Sequence, residues 1–212
     1  ITQTMSNSNE EETSPGDNQG ESSTPTEKAC DDEWRKYRSN FPSIPYMTSK
    51  ELRVIEASSS EDIMLVDVRT EAEQKISMLP NSMTLDEWKE NELPKLQTAD
   101  NESEKKEKKI VFYCTIGYRS GMEAKKFQDA YPDLKFYSLD GIVPYTHTAK
   151  GDDLPLIRRQ TNGETHTKRV HVFGSAWSKF ANPDFDIVVF SKTKFLLEGM
   201  AVKFKQFFGG AK

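Results

Sequence analysis

A cysteine closes an apolar run at Val111-Phe112-Tyr113-Cys114. The residues after it, Thr115-Ile116-Gly117-Tyr118-Arg119-Ser120, place a glycine turn and a guanidinium before the helical pattern Ser120 to Ala130. A thiol between a strand and a helix faces the positive end of that helix and its free backbone N–H groups. Arg119 adds a permanent positive charge. Those conditions lower a cysteine pKa and give a thiolate, the nucleophilic form. The competing reading is a small core residue, the commoner fate of an isolated intracellular cysteine. The end-of-strand position, Gly117 and Arg119 favour a reactive Cys114 that ionises easily and opens to water.

The flanking elements form a repeating pattern. Thr48-Ser49-Lys50-Glu51 is a capping box that opens a helix to about Ala57. Ile63 to Val68 is a near-continuous apolar run, as in a strand covered on both faces. A short helix is expected at Thr70 to Ile76, a turn at Leu79-Pro80-Asn81-Ser82, a short strand at Met83 to Leu85 and a helix from Asp86 to Leu93 that buries Trp88. Further strands are expected at Ile110 to Tyr113 and Leu134 to Leu139. The charge run Asp100 to Lys109 reads as a solvated loop. Strands alternating with helices predict an α/β fold, a parallel sheet with helices on both faces. Ligands of such sheets bind beyond the carboxyl ends of the strands, where Cys114 lies.

Hydrophobic residues make up 35% of the 212 and mean hydropathy is -0.74, polar for a chain packed throughout. Residues 1–33 hold nine acidic side chains and one lysine, a balance of -8 within a net charge of -5, so the remainder carries +3. A disordered acidic tail is expected over 1–33, with a short helix around Trp34 and Tyr37 from Asp31 to Asn40. A remainder near +3 carries no nucleic-acid footprint. Cys30 falls in the tail, so both cysteines are expected to be reduced. No apolar run nears the roughly 18 residues a membrane span needs. The expectation is a cytoplasmic protein.

The Cys114 loop resembles the active-site loop of rhodanese-like sulfurtransferases, Cys-x-x-Gly-x-Arg/Thr-Ser/Thr. Two further segments agree in order. Leu65-Val66-Asp67-Val68-Arg69, Glu73 and Leu79-Pro80-Asn81-Ser82 resemble the family's earlier signature. Ser138-Leu139-Asp140-Gly141-Ile142-Val143-Pro144-Tyr145 resembles its later Gly-Gly-Ile-x-x-Trp segment. The likeness covers roughly Tyr46 to Leu156 and implies a rhodanese-like domain over 41–156. It implies a sulfurtransferase in which the Cys114 thiolate takes a sulfane sulfur as a persulfide, cradled by residues 115 to 120, and passes it to a thiol or other nucleophile. A small sulfane-sulfur donor and a thiol acceptor or protein cysteine are the implied partners, with no metal or organic cofactor. Asp67 and Arg69 are expected to support the site by tying loops together, ahead of direct substrate contact. Tyr118 either stacks over the sulfur or packs. The sequence departs from the family at Ser77-Met78, Asn81, Asp140 and Tyr145. The apolar, aromatic rim favours an organic donor over thiosulfate.

Two rivals stand beside this reading. Related phosphatases use Cys-x5-Arg, whereas Cys114 to Arg119 is one residue shorter and suits a single sulfur better than phosphate. A rhodanese-fold interaction or sulfur-sensing module without turnover would bind partners through the tail and the C-terminal end. Residues 157–212 are expected to form an extension packed on the domain. Within it, Arg169 to Trp177 resembles a segment, Lys-Val-His followed five residues later by Trp, that trails the domain in some family members. Residues 193–208 show an amphipathic helix pattern, with Leu196, Met200, Phe204 and Phe207 on one stripe. Packing is preferred over membrane contact for it. His147, His166 and His171 have no cysteine or carboxylate at metal-ligand spacing.

Overall fold

The computed structural model of the protein describes residues 23–58, 62–98 and 108–190. Five parallel strands form its centre: β1 (Tyr46–Met47), β2 (Ile63–Asp67), β3 (Met83–Thr84), β4 (Lys109–Tyr113) and β5 (Phe136–Leu139), in the order β1-β5-β4-β2-β3. β2 and β4 are buried almost end to end because the sheet is covered on both sides. Successive side chains point to opposite faces. Met64, Val66, Ile110 and Phe112 enter one apolar cluster, while Leu65, Val111 and Tyr113 enter the other.

Three helices cover the first face: α4 (Leu85–Asn91), α5 (Leu93–Thr98) and α6 (Tyr118–Ala130). Trp88 of α4 is fully buried, its ring edge-on to Phe112, Phe127 and Phe136. On the opposite face lie α1 (Pro25–Arg38), α2 (Ser49–Ser58) and α7 (Ile142–Thr146), where Trp34, Leu52, Ile142 and Val143 join the second cluster. The remaining short helix, α3 (Glu71–Gln74), follows β2. Its Glu73 carboxylate takes the backbone N–H of Thr70, which starts the helix. The capping box at Thr48 forms as its sequence predicts, with reciprocal bonds between Thr48 and Glu51.

The acidic tail ends earlier than its composition suggests. Residues 25–33, expected to be disordered, are the first turns of α1. Thr24 caps this helix by accepting the Glu27 N–H, and Pro25 occupies its first turn, where a missing N–H costs nothing. Lys28–Asp32 and Arg35–Asp31 pair at helical spacing on the outer face. Cys30 and Trp34, one turn apart, are buried on the inner face. Residues 1–22 of that tail lie outside the described residues.

After the sheet domain comes a hairpin, β6 (Leu156–Gln160) and β7 (Gly163–Thr167), joined by a two-residue turn at Thr161-Asn162. An antiparallel bridge between Met78 and Ile157 ties it to the loop before β3. A parallel pair follows, β8 (Arg169–Val172) with β9 (Asp186–Val189), joined through a 3-10 turn at Ser175–Phe180. Val170, Val172, Phe180 and Phe185 lie in the same cluster as Trp34 and Leu52, so this part of the extension shares the domain's core. His147 Nε2 lies 2.8 Å from the Phe180 carbonyl, and Asn182 donates to the Thr146 carbonyl at 3.0 Å. The amphipathic pattern at 193–208 lies outside the described residues. No helix among the described residues is long and apolar enough to cross a membrane.

Trp88 Nε1 is buried with no hydrogen-bond partner among the described residues, so the indole contributes through packing. Trp88→Ala is expected to lower stability by about 3–5 kcal/mol, and Trp88→Phe by clearly less, because it keeps ring contacts and removes the orphaned N–H. Denaturant midpoints of the two variants check this; equal losses would contradict it.

A cysteine loop braced by a buried carboxylate

The carboxyl end of β4 delivers Cys114, and the chain turns through Thr115, Ile116 and Gly117 into α6. Gly117 has φ +84°, the left-handed region that glycine enters without strain. A second glycine holds the loop from behind. Gly141 has φ +126°, and a Cβ there would stand 2.5 Å from the Thr115 carbonyl oxygen. Ile142 and Val143 donate their N–H groups to the Cys114 and Thr115 carbonyls at 2.9 and 3.1 Å. The segment expected to close the fold after β5 therefore clamps the loop by its backbone.

Ser120 in the first turn of α6 places its hydroxyl 3.7 Å from Cys114 Sγ, at hydrogen-bond distance for sulfur, and 3.0 Å from Ser138 Oγ. Ser138 in turn reaches the Gly117 carbonyl. This line of hydroxyls can donate to a thiolate or to a sulfur bound on it.

Arg119 turns to Glu73. Its Nη1 and Nη2 donate to Glu73 Oε2 and Oε1 at 2.8 and 2.7 Å, and Nη2 donates to Thr115 Oγ1 at 2.9 Å. Burial raises the pKa of the Glu73 carboxyl, but Arg119, His171 and Arg69 outweigh it and hold the group well below the usual carboxylate range. Arg119 lies within electrostatic reach of Cys114. The permanent positive charge expected there is paired with the Glu73 carboxylate.

Asp67 and Arg69, expected to support the site, pair at the end of β2. Arg69 clasps the Asp67 carboxylate and donates to the Ser77 carbonyl at 2.6 Å, which ties the end of β2 to the loop before β3. Both side chains are fully buried. Tyr113 joins this brace from the next strand, its hydroxyl taking the Leu79 N–H and pairing with Ser82. Tyr118 packs against aromatic neighbours, with its ring 5.5 Å from Tyr37 and 5.6 Å from Phe41.

Cys114 is only 2% exposed, contrary to the expectation of a thiol open to water. Ile116 is buried as well. The cover is α1. The Trp34 indole rests on Gly117 so closely that a Cβ there would stand 2.6 Å from its ring. Tyr37 bridges outward, edge-on to Tyr118 and stacked on Trp177 of the 3-10 turn. Phe41 fills the space beside Gly121, where a methyl group would collide with it.

Several residues at the site were not among those expected there. Glu73 enters the sequence reading only as part of the family's earlier signature, although the Thr70-x-x-Glu73 spacing marks it as a helix-start carboxylate. Ser138 looks like any strand residue. His171 and Phe173 come from β8 and its exit. His171 Nδ1 lies 3.2 Å from Glu73 Oε1, and the Arg119 guanidinium stands over the Phe173 ring at 5.6 Å. No local signal announces these contacts. Among the described residues no cluster of histidine, cysteine and carboxylate side chains is placed to hold a metal.

Residues 52–143 match the rhodanese-like domain family. The protein contains a rhodanese-like domain. A tRNA uridine(34) hydroxylase from Hamiltonella defensa subsp. Acyrthosiphon pisum (strain 5AT) is 34% identical over 106 residues, which cover 49% of this chain. The chain spans 29% of that relative's length. Among solved structures, a thiosulfate sulfurtransferase from Pseudomonas aeruginosa aligns with a TM-score of 0.44 at 15% identity, over 65% of this chain and 23% of the other. A rhodanese-like domain protein from Staphylococcus aureus aligns with a TM-score of 0.40 at 20% identity, over 55% of this chain and all of the other. The rhodanese-like domain spans β2 to β5 and includes Cys114, Glu73 and Arg119; α1 and the β6–β9 extension lie outside it.

Two predictions concern this site. Replacing Trp34 or Tyr37 by alanine is expected to raise the iodoacetamide alkylation rate of Cys114 at least tenfold with little change in far-UV circular dichroism; unchanged rates would show that α1 does not restrict access. The second concerns Asp140, buried where the resembling family has glycine, which accepts from the Ser49 N–H and hydroxyl at the start of α2. Burial pushes its carboxyl up to about 7, against an ordinary 3.8. The folded state then binds this proton more tightly than the unfolded state. The group's contribution is full below about pH 4 and is lost as pH rises towards 7. The melting temperature of wild type relative to Asp140→Asn is expected to fall across that window; a flat difference would contradict it.

Proposed function

We propose that this protein is a sulfurtransferase that carries sulfur as a persulfide on Cys114. The observation that carries the reading is a cysteine at the loop of a rhodanese-like domain with the Ser120 hydroxyl 3.7 Å from its sulfur. In the first step the Cys114 thiolate attacks the outer sulfur of a sulfane donor. The new S–S bond forms on Cys114 as the donor's own bond to that sulfur breaks, and the donor leaves with the electron pair. In the second step an acceptor thiolate attacks the terminal sulfur and Cys114 departs as thiolate. No net oxidant is consumed. The serine hydroxyls and the start of α6 supply dipoles for the anion in both states.

The rim argues for the donor. Trp34, Tyr37, Phe41, Tyr118 and Trp177 make the approach aromatic, and Glu73 compensates Arg119. A small dianion such as thiosulfate gains little there, whereas an organic persulfide can bury apolar surface. The acceptor is a low-molecular-weight thiol or a protein cysteine in a reducing cytoplasmic setting, where Cys30 and Cys114 stay free.

The burial of Cys114 favours one second reading, a sulfur-sensing module in which persulfidation displaces α1 and no turnover follows. Intact mass after incubation with glutathione persulfide or thiosulfate separates the two. Wild type and Cys30→Ser are expected to gain about 32 Da, more readily from the organic donor, and Cys114→Ser to gain nothing. Added thiol then distinguishes turnover, which discharges the sulfur, from sensing, which retains it. Failure of wild type to gain mass from either donor would overturn the persulfide.

A further inference from the structure

The His171 motif lies outside the rhodanese-like domain, yet its side chain reaches the centre of the site. His171 sits in β8 and is fully buried. Nδ1 stands 3.2 Å from Glu73 Oε1, the oxygen that also takes Arg119 Nη2 at 2.7 Å and the Thr115 hydroxyl at 3.3 Å. The Phe190 ring lies over the imidazole at 4.1 Å between centroids. Neither ring nitrogen makes a well-aligned hydrogen bond among the described residues.

Those contacts decide the tautomer. With its hydrogen on Nε2, the ring would bury an orphaned N–H and point the Nδ1 lone pair at a carboxylate oxygen. With its hydrogen on Nδ1, the N–H faces Glu73 and Nε2 is left as a bare acceptor, the less costly of the two to leave unpaired. The Nδ1–H form therefore donates towards the oxygen that Arg119 and Thr115 share.

We infer that His171 is a positioning residue for Cys114, acting through Glu73 and Arg119. Asp67, Glu73, Arg69 and Arg119 lie around the loop, with the Asp140 carboxyl close behind it and the Tyr113 hydroxyl beside Arg69. The two arginines cancel Asp67 and Glu73, so a thiolate at 114 makes the cluster negative, and Asp140 adds to that as it ionises. A donor from His171 draws off part of the Glu73 charge and leaves more of the Arg119 field for the sulfur. Without it, Glu73 absorbs Arg119 more completely and the thiolate loses support. The C-terminal extension is thus part of the site, with Phe173 on Arg119 as its second contribution.

This inference rests on the reading of Cys114 as the reacting thiol, but its test involves no sulfur donor, so the two can fail separately. The readout is alkylation of Cys114 by iodoacetamide at pH 7 and at pH 9.5, in wild type, His171→Phe and His171→Asn. The phenylalanine variant keeps the ring and loses the donor. The asparagine variant restores an N–H at the place of Nδ1. His171→Phe is expected to alkylate about three- to tenfold more slowly than wild type at pH 7, and the gap is expected to close at pH 9.5. His171→Asn is expected to recover most of the pH 7 rate. Val172→Ala, a packing change in the same strand, is expected to lower the melting temperature without altering the ratio of the two rates. Equal rates at both pH values for His171→Phe, or a change of the same factor at both, would overturn the inference. Should His171→Phe fail to fold, the asparagine variant against His171→Leu makes the same comparison.

Discussion

The Glu73–Arg119 pair is the constraint on which the cysteine loop depends. Glu73 is fully buried at the end of a single-turn helix, and its two oxygens meet the backbone of Thr70, the hydroxyl of Thr115 and both terminal nitrogens of Arg119. An isolated buried carboxylate would be prohibitively costly, so the acid and the guanidinium hold each other in place. The pair fixes the first turn of α6 against α3, and with it the position of Thr115. Asp67 and Arg69 repeat the device one strand away, between β2 and the loop at Ser77. Breaking either pair from one side would leave a bare charge in the interior, a loss of about 3–5 kcal/mol in comparable cases.

This compensation changes what stabilises sulfur. A guanidinium near a thiol suggests stabilisation by net positive charge, but here each arginine already has a carboxylate. The support for an anion at Cys114 therefore comes from oriented dipoles (the Ser120 hydroxyl, the line through Ser138 and the start of α6) together with the part of the Arg119 field that Glu73 leaves uncompensated. Dipoles of this kind are fixed by folding and need no reorganisation when charge appears. The same arrangement explains why the loop tolerates Asp140 close behind it. That carboxyl, pushed up to about 7 by burial, spends its hydrogen bonds on Ser49 and adds little negative charge near the sulfur below neutral pH.

Local features of the site could be read from the sequence, and long-range ones could not. Cys114, Gly117 and Ser120 stand out because strand, turn and helix start follow one another within seven residues. The Thr48 and Thr70 helix starts have the same local character. His171 lies 98 positions from Glu73 and sits in an alternating strand pattern that has many meanings, so its role appears only once β8 is placed. α1 was concealed for a different reason. Its outer face carries enough Glu, Asp and Lys to look unpacked, while its inner face is mainly Cys30 and Trp34, four residues apart. Composition averages over both faces, whereas burial depends on one of them. The hairpin β6–β7, mostly exposed and polar, offered only the turn signal Asn162-Gly163.

The cover over Cys114 follows from how α1 is held. Along its outer face the helix is supported by its own charge pairs, its Thr24 cap and Pro25, while its inner face rests on the loop through Trp34 and on the 3-10 turn through Tyr37. A 14-residue helix is marginal in water without tertiary packing. Lifting α1 from the loop therefore costs both aromatic contact and helical order. A ligand that replaces the indole on Gly117 with its own apolar surface offsets that cost, and a small inorganic anion does not, so the aromatic residues packed on the loop set which ligands can displace the helix.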